Sequence, residues 1–296
     1  MYQLLVLLVG VLISVMVSVN GDLSNSLGTY YASVIIHMVG TLFALVVCYI
    51  KKEKIRKKVV VPFWAYLGGV LGVVTTLFNN YAFTHTSMMS IVALGLLGQS
   101  ITSNIIDAFG WFGMKKHPIS NTTWIGLALS CVGVAIMMDY SDMNKILAMI
   151  VCLATGVTVV TSRSINSRLS NETGAIVSSF YNHLVGLPIC ILLVIFLPTT
   201  QRITLSTVKP WMFFGGILGV MVVFLYNITI PKVSAFRLTL LAFIGQIFTG
   251  IVIDLAYGQS ISPRLFWGAV LIAMGLLLSM VLEYLSEKKE PTKQAT

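Results

Sequence analysis

Ten runs of apolar residues, each close to the length that crosses a lipid bilayer, constrain the fold of this chain most strongly. They lie near 3–20, 29–50, 61–82, 86–107, 121–139, 146–163, 174–197, 210–230, 236–256 and 264–284. A hydrocarbon core of about 30 Å needs about 20 apolar residues per helix. Because backbone polar groups in hydrocarbon must be hydrogen-bonded internally, each run is predicted to be an α-helix. The sequence therefore predicts an all-α integral membrane protein with ten transmembrane helices.

The composition excludes a soluble globular protein. Only 10% of the 296 residues are charged and 57% are hydrophobic, whereas charged residues make up about a quarter of a soluble domain. A net charge of +9 would suggest nucleic-acid binding in a soluble protein, but most basic residues here lie between the apolar runs. Loop charge of this kind sets the orientation in the membrane, so no nucleic-acid partner is expected.

Lysine and arginine are distributed unequally between the two sides of the predicted bundle. With a cytoplasmic N-terminus, four of them face outward, namely Lys145, Arg202, Lys209 and Arg264. Fifteen lie in predicted inner loops and the tail: Lys51, Lys52, Lys54, Arg56, Lys57, Lys58, Lys115, Lys116, Arg163, Arg168, Lys232, Arg237, Lys288, Lys289 and Lys293. This excess predicts a multi-pass plasma-membrane protein with both termini in the cytoplasm. The basic run at 51–58 is interpreted as a topology anchor, with contact to lipid headgroups as the alternative.

The two halves of the chain are related in sequence. At an offset of about 146 residues, nine positions are identical: Asn20, Leu23, Ser24, Asn25, Gly28, Ser33, His37, Val39 and Gly40 match Asn166, Leu169, Ser170, Asn171, Gly174, Ser179, His183, Val185 and Gly186. An offset one residue longer matches Gly68, Gly69, Gly72, Asn80, Gly98, Gln99 and Asp107 to Gly215, Gly216, Gly219, Asn227, Gly245, Gln246 and Asp254. Because each unit holds five helices, an odd number, the second must enter the membrane from the opposite side. We predict a first repeat at 1–142, an inverted second repeat at 143–286 and a cytoplasmic polar tail at 287–296.

Inverted repeats are the usual construction of secondary transporters, because two similar halves of opposite orientation supply inward-open and outward-open arrangements of similar energy. The sequence contains no nucleophile motif, zinc-ligand spacing, phosphate-binding glycine loop or nucleotide fingerprint. Its four cysteines also lack the paired spacing of metal sites. We therefore expect no enzymatic activity, no metal and no cofactor, and we expect transport to be driven by an ion gradient.

Two histidines are predicted to lie near the middle of the bilayer. His37 is about eight residues into the second helix and His183 about nine into the seventh, a depth of about 13 Å. An ionisable side chain there is costly unless it faces a wet cavity or a polar partner, and imidazole titrates near neutral pH. Both are candidates for solute binding and proton coupling. Neutral histidines bonded to a neighbouring helix are the alternative.

Carboxylates and amides also recur at matched positions in the two halves. Asp107 and Asp254 follow Gln99 and Gln246 by eight residues, which places each pair within about 80° on one helix face. The aspartates are candidates for gating or proton exchange, or for anchors at helix ends bonded to water or to a basic residue. The glutamines are candidates for solute binding or for hydrogen bonds between helices.

Four asparagines complete the set of candidate polar residues. Asn80 and Asn227 lie inside the third and eighth predicted helices, where they either contact a solute or bond helices together. Asn20 and Asn166 lie where the first and sixth predicted helices end. A cap or a turn is the first interpretation for them, and a place on a cavity wall is the alternative.

Three short motifs, each present twice, make the chain resemble the drug/metabolite transporter superfamily and, within it, the branch often called the YdcZ family. They are Asn-x-x-Leu at 20–23 and 166–169, Val-Gly at 39–40 and 185–186, and Gly-Gln with a later Asp at 98–107 and 245–254. The resemblance is to the fused form with two five-helix units and covers about residues 1–285. It implies ten helices, both termini inside, and a substrate cavity between helices 1–4 and 6–9 that helices 5 and 10 support. It does not imply a substrate.

The resulting hypothesis is a secondary transporter that moves a small organic solute by alternating access. His37, His183, Gln99 and Gln246 would line a central site, and the two aspartates would assist closure or proton exchange. H⁺ as the coupling ion and export as the direction follow from the resemblance alone. The alternatives are a membrane-embedded enzyme, a passive channel and a non-transporting scaffold, and a homodimer is left open.

Overall fold

The chain folds into a bundle of α-helices. The computed structural model describes residues 2–55, 61–113, 121–138, 142–197, 205–232, 235–259 and 262–289. Within these ranges the helices are α1 (Tyr2–Leu27), α2 (Thr29–Ile50), α3 (Gly68–His85), α4 (Met88–Phe109), α5 (Asn121–Met137), α6 (Met143–Thr173), α7 (Ala175–Phe196), α8 (Phe214–Thr229), α9 (Ala235–Ala256) and α10 (Pro263–Lys289). The described residues contain ten α-helices and no strand, which confirms the all-α prediction.

Six helices of the described part of the chain are long and apolar enough to cross a membrane. They are α1, α2, α4, α6, α7 and α8, the last together with the 3₁₀ turn that precedes it. The described apolar stretches of α5, α9 and α10 are shorter, at Thr123–Met137, Leu241–Ala256 and Pro263–Ser279. Length and composition thus agree with a protein embedded in a membrane.

The helices of the two halves contact one another in matching pairs. Helix α1 packs against α8 and α9, and its counterpart α6 packs against α3 and α4. Helices α2 and α7 pack against each other, α2 also contacts α8, and α7 also contacts α3. Helices α5 and α10 form a separate pair through close backbone contacts at Gly126, Gly133, Gly268 and Gly275. Each contact therefore recurs five helices further along the chain.

Helices α1 and α6 are longer than their apolar runs predict. They have 26 and 31 residues, whereas the predicted ends were 20 and 163. Asn20 and Asn166 consequently lie inside helices, and the interpretation as caps or turns is wrong. The apolar runs stop early because polar residues follow them, but several of these polar side chains, among them Asn20 and Asn166, are buried in the bundle. Arg163 and Arg168, assigned to an inner loop above, also belong to α6.

Single glycines connect α1 to α2 and α6 to α7. Gly28 has φ 86° and ψ 151°, and Gly174 has φ 99° and ψ 156°, a backbone region open almost only to glycine. The amide of each glycine donates to a carbonyl of the preceding helix, at 2.8 Å in both cases. The carbonyl oxygen of each glycine in turn accepts a backbone N–H of the following helix, at 3.0 Å. The chain therefore reverses direction within one residue and leaves no slack between the helices.

Helices α3 and α8 begin later than predicted, at Gly68 and Phe214 rather than at 61 and 210. A short 3₁₀ turn precedes each of them, at Phe63–Tyr66 and Pro210–Phe213. The basic residues at 56–58, Lys115, Lys116, Arg202 and the tail residues 290–296 lie outside the described residues, as does the side chain of Arg237.

Candidate functional site

A cavity of about 150 Å³ lies within the bundle. Its wall is formed by residues of α1–α4 and α6–α9, and no described residue of α5 or α10 contributes to it. This is the arrangement that the family resemblance implies. Seven of the predicted site residues line the cavity: Asn20, His37, Gln99, Asn166, His183, Asn227 and Gln246. Asn80, Asp107 and Asp254 do not line it.

The two predicted histidines lie side by side on the wall of this cavity. The ring centroids of His37 and His183 are 5.7 Å apart, and the rings are inclined by 45°. Nδ1 of His37 lies 2.9 Å from the carbonyl oxygen of Ser33, and Nδ1 of His183 lies 3.0 Å from that of Ser179. Because a carbonyl oxygen only accepts, Nδ1 donates in both bonds, and the lone pair of each neutral ring is on Nε2. Both imidazole rings are therefore Nδ1–H tautomers, and Nε2 of each ring can accept a proton.

A glycine of the opposite half faces each imidazole ring. A Cβ atom at Gly40 would collide with the ring of His183, and a Cβ atom at Gly186 would collide with the ring of His37. Both glycines belong to the repeated Val-Gly motif. This reciprocal contact explains why a residue without a side chain follows each histidine by three positions. It also fixes the distance between α2 and α7 at the centre of the bundle.

Asp254 is fully buried but turned away from the cavity. Its two carboxylate oxygens accept the backbone N–H groups of Met88 and Met89, at 2.8 and 2.9 Å. These are the first residues of α4, where unpaired N–H groups and the helix dipole favour a negative charge. Of the two roles considered for Asp254, this geometry is that of a helix anchor. Asp107 is half-buried near the end of α4.

This geometry makes a prediction about stability. Asp254→Asn replaces one acceptor oxygen by a donor that faces an N–H group, so we expect the free energy of unfolding to fall by about 2 kcal/mol. A thermal melt of the purified protein in detergent measures the effect. The control is Asp142→Asn, because Asp142 is the N-cap of α6 and asparagine caps a helix equally well. Unchanged stability together with lost proton-driven transport would assign Asp254 to coupling instead.

The four predicted asparagines have different surroundings. The side-chain amide of Asn166 donates to the Asn182 side chain at 2.9 Å, and that of Asn227 donates to the carbonyl oxygen of Ala175 at 3.2 Å. Within the described residues, Oδ1 of Asn20 and both amide atoms of Asn80 are buried without a hydrogen-bond partner. Asn166 and Asn227 therefore bond helices together as well as line the cavity.

The cavity wall also carries a cation, which the sequence pattern did not predict there. Arg163 lines the cavity, and its guanidinium carbon lies 5.2 Å from the ring centroid of Tyr226 in α8. The repeat contains the signal that could have found it. At the offset of the two halves Arg163 corresponds to Val17, which is buried well inside α1, so the repeat predicts that Arg163 lies within a helix rather than in a loop.

A cluster of side chains joins the ends of three helices. The hydroxyl of Tyr257, just after α9, donates to the carboxylate of Asp22 and lies 3.2 Å from Oγ of Ser18. Burial, followed by the nearby Asp22 carboxylate, raises the pKa of Tyr257 to about 12, so the hydroxyl remains a donor. The ring of Phe83 in α3 packs edge-on against the Tyr257 ring, with 5.8 Å between centroids. The ends of α1, α3 and α9 are thus joined here.

The matched positions of the other half cannot form this cluster. Arg168 corresponds to Asp22, and Gly110 corresponds to Tyr257. Arg168 instead forms an ion pair with Glu172 on its own helix, at 2.9 Å. The Tyr257 cluster therefore distinguishes one end of the bundle from the other.

Comparison with known proteins gives two positive findings. A family model described as "Putative inner membrane exporter, YdcZ" matches residues 1–136 and 147–278. A crystal structure of another protein aligns with a TM-score of 0.63 over 95% of this chain and 96% of that chain, at 12% sequence identity. At this identity the likeness shows the fold alone. No curated protein matches the sequence.

Proposed function

Because this chain belongs to the YdcZ family, whose members are described as inner membrane exporters, we propose that it is a secondary transporter that exports a small organic solute. The observation that carries the proposal is the cavity, which four helices of each half enclose and which has both matched histidines on its wall. Membrane transporters bind their substrates at such an interface between repeats, near the middle of the bilayer. The alternatives of an enzyme, a channel and a scaffold have no comparable feature in their favour.

Alternating access needs two halves that can exchange roles. We propose that residues 1–142 and 143–286 are these halves, inverted relative to each other, with ten membrane spans and both termini in the cytoplasm. The matching helix contacts support this, as do the reciprocal contacts between each histidine and the glycine of the other half. The five-helix length of each unit supports the inversion.

The histidine pair is proposed as the site of proton coupling. At a separation of 5.7 Å, two positive rings would repel each other by about 3 kcal/mol at an effective dielectric constant of about 20. The pair therefore holds at most one proton at a time. The other titratable or charged groups of the cavity wall are Arg163 and Tyr226, and Sγ of Cys190 lies 3.5 Å from Nδ1 of His37.

The proposed function is tested in two steps. First, a thermal-shift screen of the purified protein against panels of metabolites identifies ligands, because a compound that binds only the folded state raises the melting temperature. Second, proteoliposomes loaded with such a ligand are tested for counterflow. Saturable accumulation of labelled ligand against its gradient is the expected result. A flux that does not saturate would identify a channel, and no flux would identify a scaffold.

The Tyr257 cluster is proposed as a closing contact that breaks during transport. Tyr257→Phe removes the donor to Asp22 and keeps the ring contact with Phe83, so the closed state should lose about 1 kcal/mol. The expected result is about a fivefold faster reaction of a cysteine introduced at Val17 with a membrane-impermeant thiol reagent. The control is the same pair of proteins without the introduced cysteine. An unchanged rate would show that the cluster does not limit access.

A further inference from the structure

We infer that the cavity binds a small organic anion with an apolar body, and that Arg163 receives its carboxylate. This inference rests on the proposed function and specifies its substrate class.

The first step is the position of Arg163. It lies well inside α6, more than two helical turns before the end at Thr173, and on the cavity wall. A guanidinium keeps its charge in any protein environment. A cation within a membrane helix is costly unless it has a partner, and such a residue marks a functional site whose partner is to be identified.

The described part of the cavity wall provides no anionic partner for Arg163. No carboxylate stands on the described wall of the cavity, and within the described residues no ion pair joins Arg163 to an aspartate or a glutamate. Arg163 contacts the side chain of Tyr226 both by a hydrogen bond to the hydroxyl and by a cation–π contact with the ring. A neutral hydroxyl and a ring face stabilise the positive charge, but they do not occupy the whole planar fork of five N–H donors, which matches the two oxygens of a carboxylate.

The two halves differ in the polarity of matched positions on the cavity wall. Helices α3 and α6 pack together and present polar side chains: Thr75, Thr76, Asn79, Ser162 and Arg163. Helices α1 and α8 also pack together, and at the five matched positions they present Val222, Val223, Tyr226, Met16 and Val17. At these five positions the α3/α6 pair is polar, whereas the α1/α8 pair is apolar apart from the Tyr226 hydroxyl. The α1/α8 pair also places Ser14, Asn20 and Asn227 on the wall.

These observations define the ligand by its chemistry. The Arg163 guanidinium and the Asn79 side-chain amide on the α3/α6 wall suit a carboxylate, and the apolar positions of the α1/α8 wall suit a hydrocarbon body. An organic cation is disfavoured, because Arg163 would repel it and no carboxylate on the described wall would compensate. Because only one half carries the arginine, the anion has one preferred orientation in the cavity.

The test uses the full-length protein in detergent and four probes: hexanoate, hexanol, hexylammonium and acetate. We expect hexanoate to raise the melting temperature with saturation, and the other three to bind at least about tenfold more weakly. Hexanol and hexylammonium test the charge, and acetate tests the apolar wall. Equal binding of hexanoate and hexanol would overturn the inference.

Variants then locate the charge contact. Arg163→Gln should weaken hexanoate binding about tenfold or more, and Arg163→Lys should have a smaller effect, because lysine keeps the charge but loses the fork. Arg168→Gln is the control, since this arginine is on the same helix but off the cavity wall. If the ligand-free Arg163→Gln protein melts as the parent does and still binds hexanoate equally well, the inference is wrong.

The two proposals fail in different ways. Binding of hexanoate through Arg163 without any counterflow would leave the anion site standing and remove the transport function. Counterflow of another solute that does not depend on Arg163 would leave transport standing and remove the anion site.

Discussion

Replacing either histidine of the central pair by glutamine should abolish transport driven by a pH gradient. Glutamine can still donate to the carbonyl of Ser33 or Ser179, but it cannot take up the proton that Nε2 of His37 or His183 accepts. Counterflow at equal pH on both sides should persist, because it needs the cavity and not the proton. Proteoliposomes with an imposed pH gradient measure the first quantity, and the same vesicles without a gradient measure the second.

The control for this experiment is a histidine outside the cavity. His85 at the end of α3 bonds through Nδ1 to the carbonyl oxygen of Tyr81, at 2.8 Å, and is absent from the cavity wall. His85→Gln should leave both kinds of transport unchanged. Full retention of pH-driven flux in His37→Gln and His183→Gln would remove the histidines from the mechanism. Loss of counterflow as well would indicate a role in solute binding.

The second large effect is expected at the glycines that face the imidazole rings. Gly40→Ala places a methyl group in the space of the His183 ring, and such overpacking costs typically about 1–3 kcal/mol. The displaced ring should also stop transport. Melting curves and counterflow on the purified variant measure both effects.

A double-mutant cycle separates this contact from a general loss of helix packing. In a His183→Ala background the methyl group of Gly40→Ala meets no ring, so its cost should largely disappear. Gly186→Ala combined with His37→Ala forms the matched cycle in the other half. A destabilisation of the same size with and without the imidazole would show that the glycine serves a different contact.

The apolar runs predicted the number and type of the helices, because burial in hydrocarbon leaves the chain little choice. The repeat and the similar predicted depth of the two side chains predicted that His37 and His183 line one central site, and both lie on the cavity wall. The ends of α1 and α6 were not predictable from hydropathy. A run of polar residues such as 162–173 looks the same whether it faces water or the interior of a bundle.

The roles of Asp254 and Arg163 were also not predictable from the local sequence. Asp254 bonds to the start of α4, which lies far away in the sequence, and no local pattern announces such a contact. Arg163 was assigned to a loop because charge usually marks the membrane surface. In the sequence, only the correspondence of Arg163 to Val17 in the other half indicates that Arg163 lies within a helix.

The single-residue connections at Gly28 and Gly174 limit the motions that are open to this protein. Because one glycine joins the two helices of each hairpin, a displacement of the end of α1 at Leu27 also displaces the start of α2 at Thr29, and α6 and α7 are linked in the same way. Asn20 and His37 belong to the α1–α2 hairpin, and Asn166 and His183 belong to the α6–α7 hairpin. A solute released by the movement of one hairpin would therefore lose its contacts with an asparagine amide and with an imidazole at the same time.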